Sequence, residues 1–233
     1  MSKFQFKFED SEDCKLYITS DLHLNHVQEF LWKPRGYKSA KDHTWGVINK
    51  INEVCRPQDI LLNLGDYCLN TKREELDNII SSINCVQWWL KGNHNNPWEK
   101  SYQKACEDYL SDYEFKTGNE CFVEGLFKPE INGLLYFPKV VVFGSYLEFM
   151  WNGQMCTFFH YPISVWNQIQ HGAWACCGHS HGSYQLSRHD DFTIKQLDCG
   201  WDLHNSPLDF HDIKKIMDKK KFKPKDHHNK DTT

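Results

Sequence analysis

Oxygen- and nitrogen-bearing side chains recur along this chain in a fixed order, each at the end of an apolar run. They are Asp21 and His23, Asp66, Asn93 followed by His94, His160, and finally His179 and His181. Carboxylate, amide and imidazole donors without a thiolate suit Mn, Fe, Zn, Ni or a similar divalent ion rather than a structural cysteine-type zinc. Gathered on one edge, they can hold two cations about 3.5–4 Å apart, an arrangement suited to displacement at phosphorus. Taken singly, each fragment says little. Asp-x-His arises often by chance, Gly-Asp at a strand end is an ordinary turn, and Gly92-Asn93 tolerates left-handed backbone angles. His160 alone reads as a hydrogen-bonded structural histidine. The ordered set carries the meaning.

The elements that must position these residues follow from hydrophobic patterning. Lys15 to Ser20, Asp59 to Leu64 and Cys85 to Leu90 are short apolar runs that predict buried strands ending at Asp21, Asp66 and Asn93. Val47, Ile48, Ile51 and Val54 lie between the first two at helical spacing. Leu76, Ile79, Ile80 and Ile83 lie between the second and third. Strand and helix in alternation imply parallel pairing with right-handed crossovers. Ligands in such sheets gather outside the carboxyl ends of the strands.

The second half reads differently. Tyr136 to Phe143 is β-branched, and Asn152-Gly153 between Tyr146–Trp151 and Gln154–Phe159 is a strong hairpin signal. Trp174 to Cys177 and Phe192 to Leu197 predict two more strands, so a second sheet with hairpin character is expected.

The chain has 233 residues, with 40% hydrophobic and 15% aromatic content, enough for a sizeable core. The Trp and Phe residues read mostly as that core. No apolar run approaches the ~20 residues of a membrane span. The N-terminal segment alternates Phe with charged and polar residues, unlike a signal or transit peptide. A cytoplasmic location and reduced cysteines are therefore expected, and none of the ten cysteines forms a C-x-x-C pair.

Net charge is −4, unevenly placed. From Lys214 to Thr233 eight Lys face three Asp, a balance of +5, which leaves −9 on the rest. The expected organisation is one domain over residues 1–213, with a possible insertion or substrate-specificity region at 98–138, and a basic, disordered tail at 214–233. An acidic body does not indicate a nucleic-acid partner.

The combined motifs resemble the calcineurin-like metallophosphoesterases. They are Asp21-x-His23, Gly65-Asp66, Gly92-Asn93-His94, His160 and Gly178-His179-x-His181, spread over roughly residues 15–202. The chain is most similar to the compact phage and bacterial branch. Ser20-Asp21-x-His23-x-x-His26, His160-Tyr161-Pro162 before Trp166, and a late Gly200-x-Asp202 carry that closer match.

The resemblance implies an α/β fold, a four-layer αββα sandwich of two mixed sheets, with a dinuclear metal site at strand carboxyl ends. It further implies that Asp21, His23 and His181 hold a first metal, that Asp66 bridges, and that Asn93, His160 and His179 complete a second. His94 is then the general acid that protonates the leaving oxygen. His26 and Arg35 are expected substrate contacts, and Asp202 a hydrogen-bond partner of a metal-bound histidine. The implied activity is hydrolysis of a phosphodiester or phosphomonoester by a hydroxide that two divalent ions activate at neutral pH. A non-catalytic metal-binding scaffold of the same fold and a nuclease-type phosphodiesterase are the alternatives.

Overall fold

The computed structural model describes residues 7–69, 71–94, 140–221 and the two short pieces 130–131 and 134–135. In chain order the strands are β1 (Lys7–Phe8), β2 (Leu16–Thr19), β3 (Ile60–Asn63), β4 (Val86–Trp89), β5 (Glu130–Ile131) and β6 (Leu134–Leu135). They continue with β7 (Val140–Val142), β8 (Tyr146–Trp151), β9 (Gln154–Phe159), β10 (Trp174–Cys177), β11 (Gln196–Asp198) and β12 (Leu208–Asp209). The helices are α1 (Glu29–Trp32), α2 (Ala40–Val54), α3 (Arg73–Ser82), α4 (Trp201–His204) and α5 (Phe210–Met217).

Two mixed five-stranded sheets carry the fold. The first has the order β12-β2-β3-β4-β7, parallel throughout except for the antiparallel edge strand β12. The second has the order β1-β8-β9-β10-β11, antiparallel only across the β8–β9 hairpin. At the hairpin tip Asn152 and Gly153 both take positive φ, 47° and 78°. Two-residue turns demand that geometry to match the strand twist. The predicted strand–helix alternation and the hairpin are thus present. The predicted strand 136–143 is shorter, Val140–Val142, and the strand expected at 192–197 begins only at Gln196.

Side-chain alternation divides the core. Leu16, Ile18, Ile60, Leu62 and Trp88 face the second sheet and pack with Phe149, Trp151, Phe158, Cys176 and Leu197. Tyr17, Leu61 and Trp89 face the other way, onto Val47, Ile48 and Ile51 of α2 and Leu76, Ile79 and Ile80 of α3. Ser39 caps α2 by accepting the Asp42 N–H. Both faces of these central strands are covered, which is why they read as continuous apolar runs.

The outer face of the second sheet is different. Met155 and Ala175 there are covered by Trp166, Ile169, Ala173 and Ile194 from loops and 3-10 turns. Among the described residues this face carries no α-helical layer, so the observed layering is helix, sheet, sheet, loop. A structure with two mixed sheets is what the α/β expectation required.

The tail boundary expected at 213/214 falls inside α5. Phe210, Ile213 and Met217 lie on one face and are buried, Phe210 against Trp151 and Trp174 with ring centroids 5.0 and 5.5 Å away. Burying that stripe outweighs the pull of the lysines toward solvent. Beyond it, Lys220 is itself buried, and its Nζ donates to the carbonyls of Arg188 and Asp191. Disorder from residue 214 is therefore corrected as far as 221, while 222–233 lie outside the described residues. The proposed insertion at 98–138 also lies outside them, apart from the β5–β6 hairpin. Among the described residues no helix is long and apolar enough to cross a membrane. The eight described cysteines are free, and all but Cys14 are buried.

Candidate metal centre

Every sequence-selected donor leaves the carboxyl end of a strand. Asp21 follows β2, Asp66 follows β3, Asn93 and His94 follow β4, His160 follows β9, and His179 and His181 follow β10. The loops then turn sharply. Asp21, His23, Asp66, His179 and His181 hold φ of 56°, 48°, 53°, 65° and 47°. Left-handed backbone at a non-glycine residue costs on the order of 1–3 kcal/mol and concentrates at functional sites.

Backbone bonds fix the loops to one another. Asp21 N–H donates to the Gly65 carbonyl at 3.1 Å and His23 N–H to the Asp66 carbonyl at 2.9 Å. Ser20 and Gly200 form an isolated parallel bridge, with Trp201 N–H on the Ser20 carbonyl at 2.9 Å, joining the two sheets beside the site. The glycines of the motifs answer to crowding. A Cβ on Gly92 would collide with Asp66 Oδ1, and one on Gly178 with Ser20 Oγ and Asp21 Oδ2.

Both carboxylates are aimed in the same manner. Asp66 accepts the His94 N–H on Oδ1 at 2.8 Å, and Asp21 accepts the His179 N–H on Oδ2 at 2.9 Å. Their remaining oxygens face the imidazoles. Asp66 Oδ2 lies 3.7 Å from His23 Nε2 and 3.5 Å from His160 Nε2. Asp21 Oδ1 lies 3.9 Å from both His23 Nε2 and His181 Nε2. On the other side Asn93 Oδ1 is 2.8 Å from His160 Nε2 and 2.8 Å from His179 Nδ1. Neighbouring donors on one octahedral cation lie about 3 Å apart, given bonds of ~2.0–2.1 Å. Asp21, His23 and His181 form one group of close donor atoms, and Asp21, Asp66 and His160 a second. All seven expected ligands are brought together.

Electrostatics within the cluster pull both ways: His181 is raised by its Asp202 partner and His160, despite burial, by Asp66, which favours their protonated rings. Burial pushes the Asp21 carboxyl up to about 6, even though His160 and His181 pull it down. Burial also pushes His23 down to about 3, so its ring is neutral and able to ligate. Asp66 goes down to about 2, because His160 and the His94 N–H outweigh its burial. Asp21 Oδ1 and both ring nitrogens of His23 are buried without a hydrogen-bond partner among the described residues. Such atoms are costly to bury unless something completes them.

His94 is exposed, and its ring centroid lies 5.7 Å from that of His23. His26 is buried, 5.6 Å from His23 between ring centroids, and its Nδ1 accepts the Gln28 N–H at 3.3 Å. That bond leaves the ring proton on Nε2.

Arg35 corrects the expectation of a substrate contact. Its side chain is 4% exposed. Nε and Nη2 donate to the two oxygens of Asp202 at 2.8 and 2.6 Å, Nη2 to the Asp21 carbonyl, and Nη1 to the Leu22 carbonyl and His43 Nε2. All five guanidinium protons are therefore committed, and none remains for a phosphate. Asp202 Oδ2 also accepts from His181 Nδ1 at 2.6 Å.

Two residues had no motif to reveal them. His43 is fully buried against Arg35. Asp198 is fully buried and shapes the loop that bears His179 and His181, accepting from Ser180 Oγ and the N–H groups of Gly182 and Gly200. An aspartate at the end of an apolar run was the available signal, and it is a weak one.

No family profile matches the chain. An uncharacterized protein of Methanocaldococcus jannaschii is 29% identical over 87 residues, 37% of this chain. The chain spans about half, 49%, of that curated relative's length. The crystal structure of a protein of unknown function from Aquifex aeolicus superposes with a TM-score of 0.55 at 17% identity, over 87% of this chain and 99% of that one. That similarity concerns the fold alone.

Proposed function

We propose that this chain is a metal-dependent phosphoesterase of the calcineurin-like kind, hydrolysing a phosphodiester or phosphomonoester. The observation that carries the reading is Asp66 Oδ2, set between His23 Nε2 and His160 Nε2 at 3.7 and 3.5 Å. A carboxylate oxygen with an imidazole nitrogen on either side suits a pair of adjacent divalent ions, although the two groups of close donor atoms have Asp21 in common. Asp21, His23 and His181 would hold one ion, and Asn93, His160 and His179 the other, with Asp66 common to both. The buried, unpartnered Asp21 Oδ1 and His23 Nε2 fit that assignment.

Two such ions, when bound, supply Lewis acidity that makes water nucleophilic at neutral pH and draws charge from the phosphoryl oxygens. The chain's own residues do the rest. Asp21 and Asp66 each spend one oxygen on a backbone N–H, which fixes where the other points. His94, exposed beside the cluster, delivers a proton to the leaving oxygen as the ester bond breaks. The Nε2–H of His26 is a donor for a phosphate oxygen. The acidic body and the committed Arg35 favour a small ester over a nucleic-acid backbone.

Metal analysis of chelator-free protein is expected to find about two divalent ions per chain. A screen of bis-p-nitrophenyl phosphate, its monoester, cyclic nucleotides and short oligonucleotides with Mn²⁺, Ni²⁺ and Mg²⁺ then assigns the ester class. Protein that takes up no divalent ion at any concentration sinks the reading. Protein that binds two ions and hydrolyses none of these esters favours a metal-binding scaffold.

A further inference from the structure

Arg35, Asp202 and His181 form a continuous chain of charged hydrogen bonds that ends at the metal cluster. His181 Nδ1 lies 2.6 Å from Asp202 Oδ2, so its proton resides on Nδ1 and the lone pair on Nε2, the nitrogen facing Asp21 Oδ1. A ring 38% exposed would otherwise turn freely about its side-chain bonds. Asp202 is held in turn by a two-point contact from the Arg35 guanidinium. The same guanidinium grips the carbonyls of Asp21 and Leu22, within the loop that presents Asp21 and His23. One buried side chain thus ties the loop after β2 to the imidazole that arrives from β10. Among the described residues these bonds hold none of the side chains of Asn93, His160 and His179; the link across is the backbone N–H of His179 on Asp21 Oδ2.

We infer that Arg35 and Asp202 are positioning residues for one metal position only, the one made by Asp21, His23 and His181. The inference rests on the proposed dinuclear centre and adds an asymmetry to it. Outer partners of a metal-bound histidine typically control affinity by about 10–100-fold. That factor is expected at the Asp21 position, with the Asn93 position unchanged. Arg35 acts through its planar fork, which a lysine cannot reproduce.

The test is calorimetric titration of Mn²⁺ into full-length wild type, Asp202→Asn, Arg35→Lys and the double variant, with circular dichroism confirming the fold. Wild type should show two binding classes. Each single variant should weaken one class by about 10–100-fold and leave the other unmoved. The double variant should lose little more than either single one, because both act on the same ring. Electron paramagnetic resonance should show the exchange-coupled pair giving way to an isolated ion. Wild type with two classes and Asp202→Asn with both unchanged, or both equally weakened, overturns the inference alone. Wild type that binds no Mn²⁺ overturns it together with the proposed function. Should Arg35→Lys fail to fold, the near-isosteric Asp202→Asn decides the matter.

Discussion

The backbone N–H of His179 donates to Asp21 Oδ2 at 2.9 Å, across 158 residues of sequence. This bond makes a residue of one sheet the aiming device for a carboxylate of the other. Asp66 and the His94 N–H repeat the arrangement within the first sheet. Each ligand loop therefore depends on its neighbour's backbone as much as on its own strand. Substitutions that remove a side chain but keep the N–H should separate chemistry from structure.

Asp66→Asn is the first such separation. The amide oxygen can still accept the His94 N–H, so the fold should persist in thermal melts with chelator. The shared negative oxygen is lost, and metal affinity should fall by more than the roughly 10–100-fold that outer-sphere changes cost. Turnover at wild-type level with this variant would contradict the shared role of Asp66.

His94→Ala keeps the N–H that orients Asp66 and removes only the imidazole. Metal stoichiometry should stay unchanged while kcat falls by about 10²–10⁴-fold, most for esters with poor leaving groups. An equal loss for p-nitrophenyl and alkyl esters would assign His94 some other task.

His179→Gly tests the backbone strain. The residue holds φ 65°, which glycine adopts without penalty. Measured with chelator, urea stability should stay within about 1 kcal/mol of wild type or rise. Binding at the Asn93 position should weaken sharply. A stability loss well beyond 1 kcal/mol would show that the ring, not the ion, supports the loop.

The metal-free protein should lose stability as pH falls from about 6.5 to about 4. Burial pushes His43 down to about 4 and His23 to about 3 from 6.5. The unfolded chain therefore binds more protons than the native one in that window, and stability rises with pH there. His26, His179 and His204 are likewise lowered by burial and act in the same sense, whereas Asp21, raised to about 6 by burial, opposes them between 3.8 and 6. His181, raised by its Asp202 partner, and His160, raised despite burial by Asp66, oppose them from about 6.5 upward. Urea midpoints measured with chelator should climb between pH 4 and pH 6. His43→Gln should flatten the slope, and an unchanged slope would remove His43 from the account.

The sheets and the order of the clustered donors were legible because buried strands advertise themselves. Leu16–Thr19, Ile60–Asn63 and Val86–Trp89 are covered on both faces, and each apolar run stops where a donor begins. What was not legible depends on partners far away in sequence. A charged Arg35 after Pro34 looks free to meet phosphate until Asp202, 167 residues on, is seen to hold it. His43 and Asp198 belong to no motif yet are fully buried. The lysines after Lys214 hid the apolar face of α5, whose spacing was present but masked by charge.

The Ser20–Gly200 bridge sets the order in which the protein can become itself. Together with the His179 N–H on Asp21 and the Arg35–Asp202–His181 bonds, it aligns the first motif with the last across a long stretch of chain. Contacts of that sequence separation form slowly. A polypeptide emerging from the ribosome can build β2, β3 and β4 early, with Asp21, Asp66 and Asn93 already in hand. It lacks the full set of clustered donors until His179 and His181 have left the exit tunnel. If the proposed centre loads metal, loading is thus a late event in the biosynthesis of this chain.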